Sequence, residues 1–151
     1  MEEVLIDTNI LANFFLKTDL TNTARDIVKK VLISYRPVVF INIVEETIYI
    51  LVREELRSRG IEKFYDQKEF IAKNGYRDLF LYRKFIEFLN TFDIAVKQNT
   101  FRINEFINIM EKYNLLPNDA LIVATCKFHG INKITTLDED FKKVDFLRVF
   151  Q

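Results

Sequence analysis

Histidine and cysteine are almost missing from this chain of 151 residues, which has one of each, His129 and Cys126. One cysteine leaves no internal disulfide, and one histidine removes multi-histidine metal sites and most imidazole acid/base schemes. Any chemistry must therefore rest on carboxylates. Glycine and proline are scarce as well, three and two residues, which argues against a low-complexity or disordered chain. No apolar run approaches the roughly 18 residues of a membrane-spanning helix, and no secretory signal is visible, so the expected setting is the cytoplasm, with no membrane partner. Neither sign of charge dominates, Lys+Arg and Asp+Glu being 22 each, so a preference for nucleic acid must come from local patches.

What the chain does have is apolar surface. Hydrophobic residues make up 49% of it, including 15 Phe, and the length fits one compact domain over residues 1–151. Short runs rich in β-branched and aromatic residues predict strands at Val4–Ile6, Pro37–Ile41, Phe92–Val96 and Ile131–Thr135, with a weaker one at Leu147–Phe150. Helical patterns lie between them, over Asn22–Tyr35, Ile43–Arg59, Arg77–Asn90, Thr100–Tyr113 and Pro117–His129. Pro117 suits a first helical position, and Gly130 the residue after a helix end. Alternating strands and helices predict an α/β three-layer sandwich, a parallel sheet of about five strands flanked by helices. Residues 54–84 mix charges with aromatics and are expected to form a helical excursion from the core.

Open α/β sheets bind ligands beyond the carboxyl ends of their strands. Asp7 directly follows the first strand, and Asp138 follows the fourth. Asp119 opens the last helix, and Glu46, with Glu45 beside it, lies in the first turns of the helix after the second strand. These acids are expected to converge on one rim. Each also has a plain structural role open to it: Asp7 as a turn residue or helix cap, and Asp119, Glu45 or Glu46 as a complement to a helix dipole. Four independent caps need not share a rim, and that shared place is what favours chemistry. Carboxylates gathered so closely repel one another unless a cation neutralises them or some take up protons, and an all-oxygen set suits Mg²⁺ or Mn²⁺. Ions of this kind promote phosphodiester hydrolysis.

Four segments carry a resemblance to a known family: Val4-Leu5-Ile6-Asp7-Thr8-Asn9-Ile10-Leu11, Val44-Glu45-Glu46-Thr47-Ile48-Tyr49-Ile50-Leu51, Asn118-Asp119-Ala120-Leu121-Ile122-Val123-Ala124 with His129-Gly130, and Ile134-Thr135-Thr136-Leu137-Asp138-Glu139-Asp140-Phe141. In this order they resemble the PIN-domain ribonucleases, of which the VapC-type toxins of toxin-antitoxin modules are common small members. The resemblance implies a metal-dependent endoribonuclease with Asp7, Glu46, Asp119 and Asp138 as metal-binding acids and Asp140 as an auxiliary acid. Thr136, Thr8 and Asn9 would orient the carboxylates or a bound water. It also implies an RNA substrate, a cognate antitoxin that plugs the acidic site with an Arg or Lys, and a homodimer. The Glu45-Glu46 doublet and the long excursion depart from compact members of the family, and the family pattern selects Glu46. A stand-alone RNA-processing nuclease and a non-catalytic RNA- or protein-binding scaffold are the alternatives.

Two other acid-pocket classes fit less well. Haloacid dehalogenase-type phosphatases resemble Asp-x-Asp after the first strand, where this chain has Asp7-Thr8-Asn9, and the paired acids of receiver domains are missing after Ile6. Within the excursion, Lys63, Lys68 and Lys73 alternate with aromatics, a combination that can hold phosphates and stack unpaired bases. A solvated helical face explains the same pattern. His129 is expected to face carbonyls at a helix end, and Cys126 to be an inert core residue.

Overall fold

The structure, a computed structural model, describes residues 1–151. In chain order the elements are β1 (Glu3–Ile6), α1 (Thr8–Phe15), α2 (Thr21–Ser34), β2 (Arg36–Phe40), α3 (Ile41–Ser58), α4 (Phe64–Asn74), α5 (Leu81–Thr91), β3 (Ala95–Lys97), α6 (Ile103–Tyr113), α7 (Pro117–His129) and β4 (Lys133–Thr135). A 3-10 turn over Glu139–Lys143 and β5 (Arg148–Phe150) complete the chain.

The five strands are all parallel and run in the order β3-β2-β1-β4-β5, with Leu5 level with Val38 on one side and Ile134 on the other. From β1 the chain steps outward through β2 to β3, then returns to lay β4 and β5 on the opposite flank. The order therefore reverses at β1, and the crevice beyond the carboxyl ends of β1 and β4 is where such sheets place ligands. Val4, Leu5, Ile6, Val38, Val39 and Phe40 are all fully buried. Successive strand residues point to opposite faces, so burial of every one means that both faces are covered. Helices α1, α2, α3 and α5 contact one another on the way around the sheet, while α6 and α7 pair separately. Thirty buried residues join in one core.

The sandwich is the expected one, with local differences that have physical causes. Helix α1 was not expected, because its eight residues are too short for a clear repeat; Asp7 starts it by accepting a hydrogen bond from the Thr8 N–H. Strand β3 begins at Ala95 rather than Phe92, since α5 runs on to Thr91 and Asp93 takes a left-handed φ of 49° as the chain turns. Helix α7 has the predicted limits, with Pro117 in its first turn and Gly130 at a φ of 69° just past its end. Within 54–84 lie the end of α3, all of α4 and the first residues of α5. Gln67, the buried residue of α4, is held at this junction. Its Oε1 accepts from Arg53 Nε at 3.1 Å, and its Nε2 donates to the Ile61 carbonyl at 2.8 Å. Helix α5 starts at Leu81 rather than Arg77, where Glu55 of α3 accepts from the N–H groups of Phe80 and Leu81 at 2.9–3.1 Å. A cap supplied from 25 residues away leaves no mark in the local sequence.

Candidate active site

Asp7 stands at the carboxyl end of β1, and its backbone N–H donates to the Thr135 carbonyl at 3.0 Å, which carries the β1–β4 ladder one bond further. Its carboxylate is pinned at both oxygens. Oδ1 accepts from the Thr8 N–H at 2.8 Å, and Oδ2 accepts from the Thr136 hydroxyl at 2.6 Å. Thr136 Oγ1 in turn accepts from the Asp138 N–H at 3.0 Å and from Asn9 Nδ2 at 3.2 Å. Asn9 Oδ1 closes the loop by accepting from the Leu137 N–H at 3.0 Å. Thr8, Asn9 and Thr136 thus tie the turn after β1 to the turn after β4. Asp138 starts the 3-10 turn, accepting from the Asp140 N–H at 2.9 Å.

Glu46 arrives from α3, where its Oε2 accepts from Thr8 Oγ1 at 2.9 Å. Glu45 is exposed and faces away, along a groove with Ile41, Val44 and Ile48. One helical step separates the two residues by about 100°, and burial of Ile43 and Thr47 orients Glu46 inward. Asp119 enters from the first turn of α7. Asp7, Glu46, Asp119 and Asp138 line a single cavity of about 180 Å³, together with Thr8, Asn9, Ile50 and Asn118. No Lys or Arg lines it. Asp140 lies just outside, yet one carboxylate oxygen from each of Asp119, Asp138 and Asp140 falls within 4.8 Å of the others. Lys143 offsets Asp140 through an ion pair at 3.0 Å.

The crowding shows in the acidities. Asp7 is pushed from 3.8 up to about 6, chiefly by burial and further by the charges of Glu46 and Asp138; the Thr136 and Thr8 hydrogen bonds pull it partly back. Asp119 is also raised to about 6, by burial first and then by Asp138, Asp7, Asp140 and Glu46. A hard divalent cation fits this donor set: it meets only oxygen ligands, finds no competing side-chain cation in the cavity, and relieves the repulsion.

Lys63, Lys68 and Lys73 are exposed on or beside α4, and none lines the acidic cavity. Lys73 is paired with Glu69 at 2.7 Å, and Lys68 borders a second cavity with Tyr49, Arg53, Phe64 and Tyr76. His129 bonds not to the end of its own helix but to the Gln98 carbonyl, at 3.0 Å. Cys126 is fully buried and its thiol is held protonated by burial. Three asparagines to which the sequence pattern assigns no role stand beside the acids. Asn118 lines the cavity, and Asn42 and Asn99 bond to it in a chain behind the rim. Their places carry a signal, since Asn42 and Asn99 each sit two residues beyond the carboxyl end of a strand, β2 and β3, where open sheets place ligand-binding residues.

Known proteins share both the sequence and the fold. Ribonuclease VapC6 of Methanocaldococcus jannaschii is 31% identical over 98% of this chain and 96% of its own length. Ribonuclease VapC2 of the same organism is 41% identical over 46% of this chain and 54% of its own length. The crystal structure of Mycobacterium tuberculosis VapC20, a Sarcin-Ricin loop cleaving toxin, superposes with a TM-score of 0.58 at 13% identity, covering 95% of this chain and 96% of that one, a likeness of fold. The family model of the PIN domain matches residues 4–147, nearly the whole chain. With its acids gathered at the β1–β4 crevice of this fold, the chain belongs to the PIN domain family.

Proposed function

We propose that this protein is a metal-dependent endoribonuclease of the VapC kind, the toxin of a toxin-antitoxin pair. The observation that carries the reading is the meeting of Asp7, Glu46, Asp119 and Asp138 in one cavity with no basic side chain among them. The match to a ribonuclease along nearly the whole of both chains supports it.

Asp7, Glu46, Asp119 and Asp138 would hold the ion, Mg²⁺ or Mn²⁺, with Asp140 as an auxiliary acid. When bound, such an ion stabilises charge on the phosphodiester and activates the attacking water. The protein's own contribution is to fix the donors beforehand. Thr136 and the Thr8 N–H hold the Asp7 carboxylate from both ends, and the Thr8 hydroxyl holds Glu46. Asp7, Glu46 and Asp138 are thus held by hydrogen bonds that leave lone pairs for the ion, so these three would need little reorientation on binding it. Asn9 locks Thr136 and so sets which way its hydroxyl points.

An acidic hollow of this size also suits inhibition by a basic side chain, so the cognate antitoxin would plug it with an Arg or Lys. A homodimer and a cytoplasmic setting belong to the same reading; no helix is long and apolar enough to cross a membrane.

The test is cleavage of structured RNA by the purified protein. Activity is expected with Mn²⁺ and lost in EDTA. Asp7→Asn should lower it by roughly 100-fold or more, beyond the range seen when only the hydrogen-bond partner of a metal ligand is removed. Full activity in that variant, with its fold intact, would place the chemistry elsewhere. Intact RNA after long incubation, together with no Mn²⁺ heat in calorimetry, would favour a scaffold that grips without cutting.

A further inference from the structure

Three asparagines form a hydrogen-bonded relay that runs up to the wall of the acidic cavity, and one fixed donor sets the direction of the whole chain. The Asn42 backbone N–H can only donate, and its partner at 2.9 Å is the Asn99 side chain, whose near atom must therefore be Oδ1. Asn99 then turns its Nδ2 toward Asn42 Oδ1, also at 2.9 Å. Asn42 is left to offer Nδ2 to Asn118, which accepts through Oδ1 at 3.2 Å. At the far end Asn99 Nδ2 reaches Thr125 Oγ1 at 3.4 Å, and that hydroxyl donates to the Leu121 carbonyl at 2.8 Å. Every amide orientation follows from the first bond. Asn118 Nδ2 alone among these groups has no partner within the chain, and Asn118 lines the cavity beside Asp119.

We propose that Asn118 donates a hydrogen bond to a non-bridging phosphate oxygen of the RNA, with Asn42 and Asn99 as positioning residues that hold its N–H toward the substrate. The cavity has four carboxylates and no basic side chain, so an anionic phosphate seated there needs neutral donors in addition to any cation. The Thr8 hydroxyl is spent on Glu46, and Asn9 Nδ2 is engaged with Thr136. Asn118 is an exposed side chain at the cavity wall whose donor nitrogen has no partner within the chain, while its carbonyl oxygen is held by Asn42, which Asn99 holds in turn. This assignment rests on the ribonuclease reading but concerns how the substrate is gripped, not the metal acids.

The experiment compares the wild type, Asn118→Ala, Asn99→Asp and the double variant. It measures KM and kcat on one RNA in Mn²⁺, binding of the same RNA in Ca²⁺, and Mn²⁺ affinity by calorimetry. Asn118→Ala should raise KM and weaken RNA binding about ten-fold, with kcat and Mn²⁺ affinity within about two-fold of wild type. In Asn99→Asp both carboxylate oxygens accept, so the Asn42 amide turns round and the Asn118 amide turns with it, presenting an acceptor to the phosphate. That variant should show the same KM defect while keeping its thermal stability, and the double variant should be no worse than Asn118→Ala alone. RNA binding unchanged in Asn118→Ala overturns the proposal and leaves the nuclease reading standing, as does an Asn99→Asp defect that adds in full to that of Asn118→Ala. A wild type that binds RNA without cutting it overturns the nuclease reading, and the binding ratios still decide the role of Asn118. A wild type that binds no RNA overturns both.

Discussion

Asp7 is a buried acid that the fold holds at a cost. Its carboxyl sits at about 6 instead of 3.8. Between those values the metal-free folded protein keeps a proton that the unfolded chain has lost, so stability falls as pH rises through the window from about 4 to 6. Above it the penalty from this group approaches about 3 kcal/mol, at 1.36 kcal/mol per pH unit. Metal-free protein should therefore melt at a higher temperature near pH 4.5 than at pH 7.5 on this group's account. Asp7→Asn should flatten that dependence and stabilise the metal-free fold at pH 7.5 by about 1–2 kcal/mol, less than the full penalty because Thr136 loses an acceptor. A melting series that shows no gain in the variant at pH 7.5 would mean that the carboxylate is not strained. Stability gained where activity is lost is the pattern expected of a functional acid. At this scale the acids were readable from their places at strand and helix ends. Glu46 was separable from Glu45 only through the family pattern, and the structure adds the reason, a hydroxyl of α1 waiting at 2.9 Å.

The helices show where local sequence stops being informative. Helix α7 was legible to the residue because both of its ends are written locally, in Pro117 and Gly130. Helix α5 starts four residues later than its local pattern predicts because its start is set by Glu55, on another helix. Glu55→Ala should destabilise the fold by about 1–2 kcal/mol, the usual cost of a lost cap with a charged acceptor, whereas Glu55→Gln should recover part of it. Denaturant titration checks this, and equal losses in both variants would deny the cap. The asparagine relay was likewise out of reach, since three amides 19 to 76 residues apart have no shared local pattern. Helix α4 raises the question of substrate. Charge reversal at Lys63, Lys68 and Lys73 should weaken RNA binding and flatten its salt dependence if the arm holds the backbone. Unchanged binding would remove α4 from the interface.

Across the whole molecule, strand order decides where the acids gather. The reversal at β1 brings Asp7, Glu46, Asp119 and Asp138 to one crevice, so an ion held there as proposed would clamp four distant segments at once. At about 100 times its Kd, Mn²⁺ should add about 2.7 kcal/mol to stability, which corresponds to a Tm rise of roughly 5–10 °C for a chain of this size. The rise should fade as Asp7 and Asp119 protonate below about pH 6. A shift equally large at pH 5 would exclude these acids as the ligands. The sandwich itself was plain from the alternation of strands and helices, whereas which strand lay in the middle was not, because neighbours in a parallel sheet are chosen by crossovers that no short window contains.

The backbone N–H of Asp7 is bonded to Thr135 between two strands of the buried core. Its solvent exchange should therefore require the cooperative opening of the entire sheet instead of a local breath of the surface. Heat would then abolish cutting and melt the central strands in a single event, with no inactive but still folded form in between.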